Sequence, residues 1–99
     1  MNIIKKNEGN KLVVEVHGRL DTVTAPELEQ ELDTVLESIQ NLVLDFAKLD
    51  YISSAGLRVL LSTQKKIVQN GDMTITNVNE EVMEVFDITG FSSILTIEK

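Results

Sequence analysis

Two adjacent serines, Ser53 and Ser54 in the stretch Ile52-Ser53-Ser54-Ala55-Gly56, are the hydroxyls most open to a chemical role. A serine becomes a nucleophile when a neighbouring base takes its proton, and histidine is the usual base. The chain has a single histidine, His17, which ends an alternating apolar–polar segment and reads as an exposed strand residue. The G-x-S-x-G pattern that holds a nucleophilic serine on a strand-to-helix elbow is absent. Asp21, Asp45 and Asp50 are acidic residues that strand ends can bring together, yet scattered carboxylates without ligand spacing read as a solvated rim. There is no cysteine, so thiolate chemistry, zinc–thiolate sites and disulfides are excluded. The serine stretch carries one glycine and no following Lys-Ser/Thr, so it is not a phosphate-cradling loop. These residues point to no catalytic group, no metal and no cofactor.

Two roles remain for the serines. The run Leu42-Val43-Leu44 is too short for a helix and fits a buried strand. From Ala55 onward the spacing changes, and Leu57, Leu60, Leu61, Ile67 and Val68 fall near one helical face. The serines therefore sit where strand gives way to helix, and a serine there can accept from the orphan N–H groups of the first turn. The same position tolerates a phosphate, which adds roughly −1.5 to −2 charges beside free N–H groups and the positive end of the helix dipole. Residue types alone leave both roles open and favour the cap.

The remaining elements are read from periodicity and punctuation. Ile3 and Ile4 begin a strand, Asn7-Glu8-Gly9-Asn10 turns it, and Leu12, Val14 and Val16 alternate in a second strand, giving a hairpin. Thr24 followed by Glu27 predicts a capping box, with Pro26 in the first turn and Leu28, Leu32, Val35, Leu36 and Ile39 at helical spacing. Asn70-Gly71 predicts a helix stop with a left-handed glycine. Met73 and Ile75, with Asn77 at the margin, alternate in a strand; Asn79 caps a helix through Val82, Val85 and Phe86 that ends at Thr89-Gly90. Phe91-Ser92-Ser93 predicts a single turn, and Ile94 to Glu98 an edge strand. Strands separated by helices imply a mostly parallel mixed sheet of about five strands with helices chiefly on one face, an α/β or α+β sandwich.

The chain has 99 residues, one domain's worth, and a formal net charge of −7. That balance opposes nucleic-acid binding, which needs a basic face. No apolar run approaches the ~20 residues that span a bilayer. The expectation is a cytoplasmic single domain over 1–99 with no nucleic-acid or membrane partner.

The stretch Leu44-Asp45-Phe46-Ala47-Lys48-Leu49-Asp50-Tyr51-Ile52-Ser53-Ser54-Ala55-Gly56-Leu57-Arg58 resembles the signature of STAS domains, in particular bacterial anti-sigma factor antagonists. Gly18-Arg19-Leu20-Asp21-Thr22-Val23-Thr24-Ala25 is similar to the family's Gly-x-Leu-Asp-x-x-x-Ala segment, and Phe86-Asp87-Ile88-Thr89-Gly90-Phe91 to its Phe-x-x-(Ser/Thr)-Gly-(Leu/Phe) ending. The resemblance implies a non-enzymatic protein, monomeric when free, that binds an anti-sigma factor of the serine-kinase type to release a sigma factor. It implies phosphorylation at Ser54, with Ser53 the secondary candidate, and reset by a serine phosphatase. The partner-facing residues it implies are Asp21, Thr22, Ser53, Ser54, Ala55, Gly56 and Arg58. Ser53 stands where some members of the family carry Asp. The alternative is an unphosphorylated STAS module that scaffolds a signalling assembly.

Overall fold

The computed structural model describes residues 1–98, and its sheet is built around the strand Lys11–Leu20 (β2). Gly9, at φ +72, turns the chain back so that Asn2–Glu8 (β1) pairs antiparallel with β2. The first half of β2 pairs in parallel with Asn41–Asp45 (β3), and the second half with Leu49–Ile52 (β4). Beyond β3 lie Asp72–Thr76 (β5) and Ile97–Glu98 (β6), giving the order β1-β2-β3-β5-β6 with β4 set beside β2 off that path. The helices are Ala25–Asp33 (α1), Ser54–Ile67 (α2) and Glu80–Thr89 (α3), followed by one 3-10 turn at Phe91–Ser93.

The alternation in β2 works as its pattern requires, with Leu12, Val14 and Val16 buried and Val13, Glu15 and His17 only half-buried. Leu42 and Leu44 of β3 and Met73 and Ile75 of β5 continue the buried face, and Leu28, Leu32, Leu57, Leu60, Val82 and Phe86 from the three helices join it in one core. Val13, Val43 and Thr74 on the opposite face stay partly open to solvent. The helices therefore cover one face, as expected for an α/β sandwich of this length.

Several local expectations are corrected. The polar connection after Asp45 contains a strand, β4, which makes the sheet six-stranded rather than five-stranded. It forms because β2 does not end at His17. Gly18, at φ +101, and a register shift between Gly18 and Arg19 let the strand continue to Leu20 and take β4 as its new partner.

The capping box at Thr24 does not form. Thr24 has helical backbone angles, and its hydroxyl donates to the Arg19 carbonyl (2.8 Å) and accepts from the Asp21 N–H (2.8 Å). Asp21 takes over, its carboxylate accepting from the N–H groups of Val23 (3.0 Å) and Thr24 (3.1 Å). The helix also stops at Asp33 rather than running to Ile39. Beyond it the Thr34 and Ser38 hydroxyls donate to the carbonyls of Glu31 and Val35, and the backbone tightens to three-residue bonds such as Ser38 N–H to Val35. Leu36 and Ile39 remain buried, so their spacing marked the core face without marking helix.

Gly71 is not left-handed. Both Asn70 and Gly71 donate to the Ile67 carbonyl, and a Cβ on Gly71 would lie 1.7 Å from the Gln40 carbonyl oxygen, so glycine is needed there for close approach. The buried stripe of α2 correspondingly ends at Ile67, with Val68 exposed. At the chain's end only Ile97–Glu98 is strand, because the segment reaches β5 only at Ile75 and Thr76. Asn79, Gly90 and the turn at Phe91–Ser93 take the roles their residue types predict.

Candidate functional site

Arg19 and Leu20 at the end of β2 lie opposite Tyr51 and Ile52 at the end of β4. The Ser53 N–H then donates to the Leu20 carbonyl at 2.9 Å, locking the two exits together. The turn Asp21–Thr24 and the serine pair thus leave the sheet side by side, at the carboxyl ends of two parallel strands, where open α/β sheets place their functional loops.

The structure separates the two serines. Ser53 is extended (φ −100, ψ 175), and its hydroxyl accepts from the Gly56 N–H at 3.4 Å while its carbonyl accepts from Leu57 at 3.0 Å. Ser53 is the cap. Ser54 is the first helical residue, is exposed, and its hydroxyl has no hydrogen-bond partner among the described residues. No acidic residue occupies the first turn of α2, so the positive end of its dipole is not neutralised from within the helix.

Gly56 lets that first turn press onto the strands. A Cβ there would fall 2.8 Å from Leu20 Cγ and 2.9 Å from Ile52 Cγ1. Ala55 is half-buried and Arg58, one turn beyond Ser54, is exposed. Thr22, Ala55 and Arg58 line one open groove between α1 and α2, with Pro26 and Val59 among the walls, of about 260 Å³. Asp21 immediately precedes Thr22, with its side chain 29% exposed and 3.7 Å from Arg19. The Thr24 N–H, helped by the Val23 N–H, the Thr24 hydroxyl and the Arg19 cation, holds the Asp21 carboxyl below the usual aspartate range. All seven residues that the resemblance implies therefore lie on the two exits or the groove between them.

The other candidates do not converge there. His17 is 20% exposed, half-buried rather than exposed, and its Nε2 lies 3.0 Å from Glu15 Oε1, not near a serine. The Asp45 carboxylate is taken by the Ala47 N–H (3.0 Å) and the Asn77 amide (3.1 Å). Among the described residues no group of three or more potential metal ligands comes together. Also among them, no helix is long and apolar enough to cross a membrane.

Three residues that the sequence did not single out belong to the same surface. Val23 is 84% exposed at the tip of the Asp21–Thr24 turn. The Arg19 guanidinium stands 4.3 Å from the centre of the Tyr51 ring, a cation–π contact across the β2–β4 pair. Val23 had a signal, an apolar residue in a polar turn. Arg19 and Tyr51 had none without knowledge of β4.

The profile of the STAS domain matches residues 2–99 of the chain. An anti-sigma-B factor antagonist of Bacillus subtilis is 34% identical over 101 aligned residues, covering 98% of this chain and 92% of the relative. The crystal structure of an anti-sigma factor antagonist from Mycobacterium paratuberculosis superposes with a TM-score of 0.89 at 26% identity, covering 97% of this chain and 83% of that one. The Bacillus cell fate determinant SpoIIAA in its phosphorylated form has the same fold, with a TM-score of 0.76 at 15% identity over 99% of this chain and 92% of its own.

Proposed function

The chain belongs to the STAS domain family, and we propose that it acts as an anti-sigma factor antagonist switched off by phosphorylation at Ser54. In this reading it binds a cytoplasmic anti-sigma factor of the serine-kinase type and so frees a sigma factor. The observation that carries the reading is the split between the serines: Ser53 is spent on the cap while Ser54 offers an exposed hydroxyl without a partner.

Kinase chemistry needs little from the acceptor protein. The kinase's base takes the Ser54 hydroxyl proton, the Ser54 oxygen bonds the γ-phosphorus of ATP, and ADP leaves with the electrons of the broken bond. The product keeps its fold, because the phosphate lies at the positive end of α2 and Ser53 still caps it. What changes is the surface. Roughly two negative charges and three bulky oxygens now stand beside Asp21, Thr22 and Arg58, where the partner contacts Ser53 and Ala55 as well; Gly56, expected on this surface, is buried against Leu20 and Ile52 and shapes it from beneath. Like-charge repulsion and steric block weaken the complex, and a serine phosphatase hydrolyses the ester to restore it.

The test is to incubate the protein with its cognate kinase and ATP, weigh it intact and map the modified residue. One added phosphate on Ser54, lost in Ser54→Ala and retained in Ser53→Ala, is expected. No phosphate from a kinase shown to be active on another substrate overturns the switch and leaves a constitutive scaffold.

A further inference from the structure

A second groove runs between the free edge of β4 and α3. Ile52 and Val82 form its buried floor, at 3% and 1% exposure, Val85 and Tyr51 its walls, and Asp50 and Glu81 its mouth. We propose that this groove is a further contact surface for the protein partner, built to take a lysine or arginine side chain presented beside an apolar residue. That the occupant belongs to the same partner that reads Ser54 rests on the function proposed above.

Three observations select this occupant. The groove measures about 160 Å³, below the range of roughly 300–1,000 Å³ typical of small-molecule sites and suited to one extended side chain. Its floor is apolar and its mouth is acidic, which matches a long cationic side chain whose stem lies on hydrocarbon while its head reaches carboxylates. Both carboxylates are exposed and neither forms an ion pair among the described residues.

The charge on the α3 side of the groove is one-sided. No lysine or arginine occurs between Ile67 and Glu98, whereas α3 carries Glu80, Glu81, Glu84 and Asp87. A second copy of this chain would bring its own −7 and be repelled, as would a nucleic acid. A basic protein face is attracted. The chain's own Arg19 already sits on the Tyr51 ring, which leaves Asp50 and Glu81 as the receivers of an incoming cation. Ile52 immediately precedes Ser53, so a protein seated on the serine end reaches the groove without a separate docking event.

The test uses the whole ¹⁵N-labelled protein titrated with the blocked tripeptide acetyl-Leu-Arg-Leu-amide, with acetyl-Leu-Glu-Leu-amide as control. Amide shifts centred on Asp50–Ile52 and Glu81–Val85 are expected from the arginine peptide only. The double variant D50N/E81Q should weaken that binding about fivefold, the scale of two exposed charges, with an unchanged melting temperature. Shifts spread evenly over the acidic surface, equal shifts with the glutamate peptide, or a D50N/E81Q titration that matches wild type would each overturn the groove. S54D should titrate like wild type, because the groove does not use Ser54. Absence of phosphate at Ser54 therefore sinks the switch and not the groove, and an unmoved D50N/E81Q titration does the reverse.

Discussion

At the scale of single residues, Ser53 and Ser54 are chemically identical neighbours given opposite work by one peptide unit of backbone. Ser53 is extended and turns its oxygen back onto the Gly56 N–H; Ser54 has entered the helix and turns outward. The cap bond is long, at 3.4 Å, so its loss falls at the low end of the capping range. Ser53→Ala should therefore lower the unfolding free energy by about 0.5–1 kcal/mol. Ser54→Ala, which removes an exposed hydroxyl with no partner, should stay within about 0.5 kcal/mol of wild type. Urea titrations of both variants check the pair. Equal losses, or a larger loss for Ser54, would mean that the second serine carries the cap. Ser54→Asp, which puts a negative charge at the positive end of α2, should also fold normally while binding the partner more weakly than wild type.

At the scale of elements, Asn79 shows how one side chain joins a helix to the sheet. Its oxygen accepts from the Val82 N–H at 2.8 Å as the cap of α3, and its amide nitrogen donates to the Leu49 carbonyl of β4 at 2.8 Å. Asn79→Ser can keep the cap but cannot reach as tether, and should cost about 1 kcal/mol; Asn79→Ala loses both bonds and should cost about 2 kcal/mol. Chemical denaturation separates the two, and equal costs would show that the tether contributes nothing. The cap half of this role was legible in the sequence because it is local: Asn79 lies three residues from the N–H it satisfies. The tether half was not, because it needs β4. That strand depends on the Gly18–Arg19 register shift in β2, some thirty positions earlier, and its own four residues are too few to show a period. The same reason divides the site. Asp21, Ser53, Ser54 and Gly56 were readable from short motifs, whereas Arg19 and Tyr51 meet only through β2–β4 pairing. The end of α1 failed for another cause: apolar spacing reports which residues are buried, and Leu36 is buried in a turn and Ile39 in the irregular connection to β3.

At the scale of the whole molecule, the net charge of −7 sets stability against pH in two opposing ways. At neutral pH like charges repel, and acidification toward the isoelectric point near 4.5 relieves that repulsion. Against this stand two carboxylates held below their ordinary range by native contacts. Glu15 is held by its bond to the Lys6 ammonium and then by His17; Asp21 is held chiefly by the Thr24 N–H, with Arg19 adding a weaker attraction. A carboxyl whose pKa is lower folded than unfolded contributes stability above the unfolded value. That contribution is lost as pH falls through the folded value. The two effects together predict a stability maximum on the mildly acidic side of neutrality and a fall that begins as pH drops below the ordinary carboxylate range of about 4. Asp21→Asn isolates one part of that fall, since an amide oxygen can still accept from Val23 and Thr24 but does not titrate in this range. Its unfolding free energy should therefore decline less than that of wild type over the same acid range, and urea titrations at several pH values measure the difference. Parallel curves would mean that the Asp21 turn contributes equally in both protonation states. The result bears on function because the turn that Asp21 ties carries Thr22 and Val23 beside the serines. Protonation would then loosen one wall of the proposed partner surface.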